Sequence, residues 1–342
     1  MTRRIYVKDI AIGGESPISI QSMTNTPTLD TERTLMQVKA LANAGCDIVR
    51  IAVSTDEEVK KSKNVLRNSC IPLVADIQFD YRHAIMCADA GFHKIRFNPG
   101  YLSLDKVSEV VAACKANGIP IRVGVNSGSM DKEILTKYSG AEALCESALK
   151  HVAALEKCGF YDTVISVKSS SVPTMVSAYE QLAKRCDYPL HLGVTESGSA
   201  MRGAIKSAVG IGSLLLKGIG DTIRVSLTGD PVKEIEAAKY ILASVGKREG
   251  VEIVSCPTCS RCEYDMESIV QALEQALSSS SKKIKIAVMG CVVNGPGEAK
   301  GADIAVCGGS NGKAALYKSG EFFKKIDGSR AVEEILKLVE EF

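Results

Sequence analysis

The sequence predicts an α/β protein, namely a (β/α)8 TIM-like barrel followed by a small α+β domain. Short apolar runs alternate with amphipathic stretches along most of the 342-residue chain. Apolar strands joined by helical crossovers are typical of a parallel sheet that is buried on both faces. Eight strand–helix units match a closed barrel of roughly 250 residues better than a doubly wound open sheet. The predicted strands begin at Ser19, Asp47, Ile71, Lys94, Pro120, Thr163, Pro189 and Asp221.

A polar break at residues 246–250 separates the barrel from the rest of the chain. We therefore expect two domains, residues 1–246 and 250–342. In the second domain the hydrophobic pattern predicts a helix over 266–277, strands over 284–289 and 303–307, and a final helix from Arg330.

Charge and composition exclude several classes of protein. The formal net charge is +2 and aromatic residues make up 5% of the chain, so an extended nucleic-acid or membrane footprint is not expected. No apolar stretch approaches the roughly 20 residues of a membrane span, and the N-terminus lacks a signal-peptide core. The sequence therefore predicts a cytoplasmic protein with neither nucleic acid nor membrane as partner.

Arginine occurs at equivalent positions of four predicted strands. An arginine inside an apolar strand is costly unless it meets an anion. Strand alternation places these arginines and Lys168 on the polar faces, which point into the barrel towards its C-terminal mouth. Guanidinium groups match phosphate oxygens, so the pattern predicts a site for a small polyanion such as a diphosphate. The four arginines are Arg50, Arg96, Arg122 and Arg224.

Alternation identifies Asp76 and Glu196 as inward carboxylates, which are too few to neutralise five cations. Glu196 is a candidate proton donor or charge stabiliser, with a salt-bridge role as the alternative. A structural pairing of each arginine with a local carboxylate remains the competing interpretation. Other polar residues on the inward faces are Asn98, Asn126 and Ser226.

Five of the twelve cysteines lie in the second domain. Cys256 and Cys259 form a C-x2-C motif, Cys262 follows three residues later, and Cys291 lies in a Gly- and Pro-rich loop. Cys307 lies on an apolar strand and is expected in the core. Soft thiolates select zinc or iron–sulfur, and the missing second C-x2-C argues against zinc. An iron–sulfur site is favoured, while zinc and buried or redox-active thiols remain open.

Eight segments, in order along nearly the whole chain, make a known family recognisable. They are SIQSMT (19–24), VADI (74–77), RFNPG (96–100), RVGVN (122–126), HLGVTE (191–196), GDTIRVS (220–226), CPTCSR (256–261) and GCVVNGPGE (290–298). With these motifs the chain resembles the bacterial, two-domain (E)-4-hydroxy-3-methylbut-2-enyl diphosphate synthases of the methylerythritol phosphate route to isoprenoids.

The resemblance implies one [4Fe-4S] cluster per chain in the second domain, held by Cys256, Cys259, Cys291 and Glu298, with Cys262 as a rival fourth ligand. It implies 2-C-methyl-D-erythritol 2,4-cyclodiphosphate as substrate. The implied reaction is a two-electron reductive ring opening with loss of water.

The resemblance also implies roles for the barrel residues and for partners. Glu196 and Glu298 are expected to be catalytic. Flavodoxin or ferredoxin is expected to deliver electrons, and a head-to-tail homodimer is expected to cap each barrel with the other chain's cluster domain. The expected substrate-binding residues are Arg50, Asp76, Arg96, Asn98, Arg122, Asn126, Lys168, Arg224, Ser226 and Asn294.

Three residues depart from the family pattern. Gln78 stands where relatives often have His, Tyr101 where Asn is frequent, and Ser171 where Asp is common. Two rival functions stay open at this point. One is a barrel enzyme acting on another phosphorylated molecule, with a structural zinc in the tail. The other is a non-catalytic iron–sulfur sensor or carrier.

Overall fold

The chain folds into two compact units, Met1–Arg248 and Glu249–Phe342. The structure is a computed structural model that describes residues 1–78, 80–130, 132–278, 280 and 282–342. None of the helices in these residues combines the length and the apolar character needed to cross a membrane.

The first unit is a parallel barrel preceded by a β-hairpin. The hairpin strands are β1 (Ile5–Val7) and β2 (Ile10–Ile12). The barrel strands are β3 (Ser19–Met23), β4 (Ile48–Val53), β5 (Leu73–Ile77), β6 (Lys94–Arg96), β7 (Ile121–Asn126), β8 (Thr163–Lys168), β9 (His191–Leu192) and β10 (Thr222–Ile223). Within the described residues they pair in the order β8-β7-β6-β5-β4-β3-β10-β9, and a parallel bridge between Ile165 and Leu190 joins the two ends. The predicted barrel fold is confirmed.

Helices cover the outside of the barrel. They pack on the outward strand residues, such as Val49, Ile51 and Val53 of β4, which are fully buried. Local signals fix helix ends: Thr55 and Glu58 form a capping box at the start of one helix, and Gly91 ends another with φ of +97°. The helices are α1 (Thr31–Asn43), α2 (Asp56–Asn68), α3 (Tyr81–Ala90), α4 (Leu104–Ala116), α5 (Lys132–Lys137), α6 (Gly140–Lys157), α7 (Val172–Ala183), α8 (Ala200–Leu216) and α9 (Val232–Ser244), with short 3-10 turns at Pro99–Tyr101 and Ser127–Ser129.

The N-terminal hairpin closes the amino-terminal end of the barrel. The sequence pattern did not predict this hairpin, because its strands have three residues each. Its buried side chains pack against inward residues at the bottom of the barrel. This apolar layer consists of Ile5, Val7, Ile12, Ile48, Val74 and Val164. By alternation, the next inward residues on those barrel strands are polar, so the polar layer lies directly above an apolar plug.

The second unit is a mixed five-stranded sheet with helices. Its strands are β11 (Val251–Ser255), β12 (Ile284–Met289), β13 (Ile304–Gly308), β14 (Lys313–Lys318) and β15 (Glu321–Asp327), in that spatial order. The first three are parallel and the last two antiparallel. Its helices are α10 (Met266–Leu277), α11 (Gly295–Ala299) and α12 (Ala331–Glu341), with a 3-10 turn at Gly328–Arg330. The sequence predicts α10, β12, β13 and α12, whereas β11, β14 and β15 were not predicted.

Candidate active site

Asp76 is the central carboxylate of the polar layer inside the barrel. The strand register places Asp76 opposite Arg96 of β6, while Arg50 lies two residues before Ala52, the residue opposite Asp76 on β4. Its Oδ2 lies 3.5 Å from Nε of Arg50, and its Oδ1 lies 3.6 Å from Nη1 of Arg96. Burial alone would raise the pKa of Asp76, but the charges of the surrounding arginines outweigh it and lower this pKa. Asp76 therefore stays ionised and holds two cations in place.

Arg122 and Lys168 lie in the same interior on β7 and β8, and both are buried. Among the described residues, neither has a carboxylate within ion-pair distance. Arg122 donates from Nη1 to Oγ of Ser166 at 3.3 Å, and its buried Nε has no hydrogen-bond partner among the described atoms. Burial, together with the neighbouring cations, holds the pKa of both groups well below the usual range. A bound anion would supply the negative charge that no described carboxylate provides to these two side chains.

Arg50 and Arg224 complete the cation layer. Burial lowers the pKa of Arg50 to about 10, and the charges of Arg224 and Arg96 add to this effect while Asp76 opposes it. The Sδ of Met23 lies 3.0 Å from Nη2 of Arg50 and 3.9 Å from Nη1 of Arg224. The two guanidinium groups thus meet around one methionine.

Glu234 supplies an inward carboxylate that strand alternation did not find. It lies in the first turn of α9 and is buried. Its carboxylate accepts hydrogen bonds from Nε and Nη2 of Arg224, both at 3.3 Å, and from Oγ of Ser22 at 2.8 Å. The backbone N–H of Leu227 also donates to it at 3.1 Å. The expectation of two inward carboxylates must be corrected, because a helix can also send a side chain to the barrel mouth.

A second set of buried polar side chains, which the sequence analysis missed, lies close to the cations. Lys94 on β6 donates from Nζ to Oε1 of Gln21 at 3.0 Å. Both ring nitrogens of His191 are buried without a partner among the described atoms. Burial, reinforced by nearby cations, holds the pKa of Lys94 and of His191 well below the usual range. Lys94 could have been found, because it is two residues before Arg96 on the same face.

Glu196 and Asn98 belong to the loops that follow the strands. Glu196 follows β9, is exposed, and has φ of +52°, an uncommon left-handed conformation for a non-glycine residue. The neighbouring Ser197 donates to the carbonyl oxygen of Ser226, which joins two of these loops. Asn98 makes two bonds with the backbone of Gly124, donating to its oxygen at 2.8 Å and accepting from its nitrogen at 2.9 Å. Asn126 ends β7 and is half-buried.

The three departures from the family pattern lie outside the cation layer. Gln78 is exposed just after β5. Tyr101 packs edge-on against the His151 ring, with a centroid separation of 4.8 Å. Ser171 caps α7 by accepting a bond from the backbone N–H of Thr174 at 3.4 Å.

In the second unit, the carboxyl ends of three parallel strands bring cysteines to one edge of the sheet. Ser255 pairs with Val288, and Met289 pairs with Cys307, so Cys256 and Cys291 both follow the ends of adjacent strands. The backbone N–H of Gly290 already donates to Sγ of Cys256 at 3.2 Å. This edge therefore carries soft sulfur ligands, and one of them accepts a hydrogen bond from the backbone.

The remaining proposed ligands, Cys259 and Glu298, lie in the segments that follow β11 and β12. Cys259 is exposed, and the backbone N–H of Arg261 lowers the pKa of its thiol. Glu298 is exposed on α11, whose first turn bonds back to the carbonyl oxygen of Asn294. Within the described ranges, no three His, Cys, Asp or Glu side chains are grouped to hold a single metal ion. A cubane cluster does not need one such point, because each ligand binds a different iron atom, and the donor set fits such a cluster chemically.

Two further cysteines stand beside these ligands. Cys262 donates from Sγ to the carbonyl oxygen of Tyr264 at 3.2 Å. Cys307 is buried, and burial raises the pKa of its thiol to about 12. Cys307 is thus a protonated core residue.

Comparison with known proteins gives the family. The model of the GcpE TIM-barrel domain matches residues 2–239, and that of the GcpE protein C-terminal domain matches residues 252–341. The chain belongs to the GcpE family. Curated GcpE-family relatives match over almost the entire length, and each is named 4-hydroxy-3-methylbut-2-en-1-yl diphosphate synthase (flavodoxin). The protein from Clostridium perfringens is 53% identical, covering 99% of this chain and 98% of its own, and that from Thermotoga petrophila is 48% identical, covering 98% and 96%.

Solved structures share the barrel of this GcpE chain. Dihydropteroate synthase from Stenotrophomonas maltophilia is 16% identical with a TM-score of 0.53, covering 71% of this chain and 98% of its own. N-acetylneuraminic acid synthetase from Leptospira borgpetersenii is 12% identical with a TM-score of 0.52, covering 82% and 99%. At such low identity these likenesses establish the fold alone.

Proposed function

We propose that this chain converts 2-C-methyl-D-erythritol 2,4-cyclodiphosphate into (E)-4-hydroxy-3-methylbut-2-enyl diphosphate. The reaction takes up two electrons and two protons, opens the ring at the tertiary C–O bond, and releases one water. The observation that carries the proposal for this chain is the excess of buried cations over carboxylates inside the barrel. Full-length relatives with this activity in their names support it further.

The barrel residues divide into two groups. Asp76 holds Arg50 and Arg96, and Glu234 holds Arg224, so these guanidinium groups are oriented before any ligand arrives. Arg122 and Lys168 have no such counter-charge among the described residues, so they are free of a carboxylate and would bind the phosphate oxygens. Preoriented donors cost less conformational entropy on binding. Asn98, Asn126 and Ser226 line the same strand ends and would contact the rest of the substrate.

Two glutamates are assigned to the chemistry. Glu196 projects from a strained loop at the carboxyl end of β9, where it can hold or donate a proton as the hydroxyl leaves. Glu298 lies on α11, and Asn294 precedes the first residue of that helix, beyond the end of β12. A carboxylate is a harder donor than thiolate, so Glu298 would hold its iron more weakly and leave it open to substrate.

The proposed cofactor is one [4Fe-4S] cluster per chain, bound by Cys256, Cys259, Cys291 and Glu298. When bound, it supplies electrons one at a time and a Lewis-acidic iron. Flavodoxin, or a ferredoxin, would deliver those electrons. We place the enzyme in the cytoplasm, because oxidising compartments favour disulfides, whereas this site needs free thiols.

The active form is proposed to be a head-to-tail homodimer in which each barrel is capped by the other chain's cluster unit. An exposed apolar stripe on the barrel supports association. Ile205, Val209 and Leu216 are 58–73% exposed along α8 at helical spacing. Of these three, Ile205 also lines, with Tyr240, an apolar groove of about 440 Å³ between α8 and α9. Exposed patches of this kind mark interfaces. Sedimentation of the Ile205→Glu variant should show monomers, and a monomeric parent chain would contradict the dimer.

The deciding experiment is anaerobic turnover of the cyclic diphosphate with a strong one-electron reductant, followed by product analysis. A colourless protein that contains zinc and no sulfide would overturn the proposal in favour of a barrel enzyme with a structural metal. A carrier or sensor would bind no substrate. Binding of the cyclic diphosphate that is lost in the Arg122→Ala variant would therefore exclude that rival.

A further inference from the structure

The peptide bond between Met289 and Gly290, at the end of β12, is hydrogen-bonded on both sides. Its N–H, from Gly290, donates to Sγ of Cys256 at 3.2 Å. Its carbonyl oxygen, from Met289, accepts a bond from the hydroxyl of Tyr264 at 3.0 Å. Both groups belong to one planar, conjugated unit. Tyr264 and Cys256 are therefore joined through a single polarisable peptide.

Packing fixes the position of the Tyr264 ring. The ring lies so close to Gly308 that a Cβ at that position would be 2.7 Å from both Cδ1 and Cε1 of the tyrosine. A Cβ at Gly308 would also be 2.4 Å from the carbonyl oxygen of Gly290. A Cβ at Gly328 would lie 3.4 Å from Cδ2 of the same ring. The hydroxyl is thus held towards Met289 by the backbone of two other segments.

We infer that Tyr264 is a positioning residue that raises the reduction potential of the cluster by strengthening the hydrogen bond from Gly290 to the Cys256 sulfur. The inference rests on the proposed function, since it takes Cys256 as a cluster ligand. Hydrogen bonds in a chain polarise and strengthen one another. Bonds to ligating sulfurs set the potential of iron–sulfur sites. One-electron reduction adds negative charge that the sulfurs share, so a stronger donor stabilises the reduced form more than the oxidised form.

The test uses the full chain with its cluster reconstituted under anaerobic conditions. Tyr264→Phe removes the hydroxyl and keeps the ring. The control is Tyr317→Phe, a tyrosine on β14 of the same unit, whose ring packs against Phe322. The midpoint potential is measured by a redox titration followed by electron paramagnetic resonance, with iron and sulfide counted per chain. We expect a lower potential in Tyr264→Phe, equivalent to a change of about two- to tenfold in the one-electron equilibrium constant. The control should match the parent chain.

A second pair of variants tests the packing of the ring. Gly308→Ala should displace both the Tyr264 ring and the Gly290 backbone, and should therefore lower the potential or the iron content. Gly309→Ala should do neither, because its Cβ would be 3.4 Å from the nearest atom, an ordinary contact. An unchanged or higher potential in Tyr264→Phe, at full cluster content, overturns the inference. A parent chain that binds no iron and sulfide contradicts the proposed function instead, so the two failures are distinguishable.

Discussion

Replacing Glu234 by glutamine tests whether the barrel depends on this carboxylate as a counter-charge. The substitution preserves size and removes one negative charge. Glu234 is 3% exposed, and the side chain of Arg224 is 16% exposed. No other described carboxylate lies within ion-pair distance of Arg224. The variant would therefore leave a largely buried guanidinium facing other cations.

The size of the effect follows from this burial. Breaking a buried ion pair by removing one partner costs about 3–5 kcal/mol, and the partial hydration of Arg224 favours the lower end. For a unit of this size, 1 kcal/mol corresponds to roughly 2–4 °C in Tm, so a loss of about 3 kcal/mol predicts a fall of roughly 6–12 °C. Added pyrophosphate should restore more stability to the variant than to the parent chain, because the anion supplies the missing charge.

The assay is thermal unfolding of the apoprotein, followed by calorimetry, with and without inorganic pyrophosphate. Glu236→Gln on the same helix is the matched control, since Glu236 is exposed and is expected to change stability by about 0.5 kcal/mol or less. Equal Tm values for the two variants would refute the counter-charge role of Glu234. A large loss that pyrophosphate does not reduce would show that Glu234 acts by packing alone.

Three further predictions concern two other cations of the barrel and the proposed cluster ligands. Arg122→Met should weaken pyrophosphate binding about 100-fold, as measured by calorimetry. The free energy of unfolding in urea should be unchanged or about 1 kcal/mol higher. A large loss of stability would contradict this prediction. Folding lowers the pKa of Lys94 below its unfolded value of 10.5, so between the two values the unfolded chain binds more protons and the free energy of unfolding rises with pH. Lys94→Met should flatten this rise in urea titrations from neutral to alkaline pH. An identical slope in the variant would exclude Lys94 as the source of the rise. Glu298→Ala should reduce or remodel the cluster spectrum while barrel unfolding is unchanged, whereas Cys262→Ser should retain full iron; loss of iron in the latter would make Cys262 the fourth ligand.

Much of the barrel could be predicted from the sequence because a parallel strand buried on both faces leaves a continuous apolar run. The N-terminal hairpin was missed for the opposite reason. Its strands are three residues long and gain stability from contacts with Ile48, Val74 and Val164, which are far away in sequence. In the second unit, β14 and β15 carry several lysines and, within the described residues, pair with each other and with β13. Their formation depends on tertiary pairing, which the local pattern does not encode.

The cation layer was visible in the sequence because charge and periodicity conflict there. A guanidinium in an apolar strand has a desolvation cost that no local residue offsets, so Arg50, Arg96, Arg122 and Arg224 stand out in a strand pattern. Their counter-charges do not stand out in this way. Asp76 lies on a strand and was found, but Glu234 lies on a helix where an acidic first-turn residue is ordinary.

The uneven distribution of counter-charge explains how one layer can both fold and bind. Were every cation paired, as Arg224 is with Glu234, a diphosphate would have to displace a carboxylate and would gain little. Were none paired, the empty barrel would carry the full desolvation cost of five cations. The structure lies between these limits, with Arg122 and Lys168 unpaired among the described residues. Without a bound anion, the barrel therefore carries an uncompensated desolvation cost at Arg122 and Lys168. A bound anion would contribute most to the binding free energy at these two positions. The Arg122→Met variant tests this relation, since it should lose affinity for pyrophosphate without losing stability.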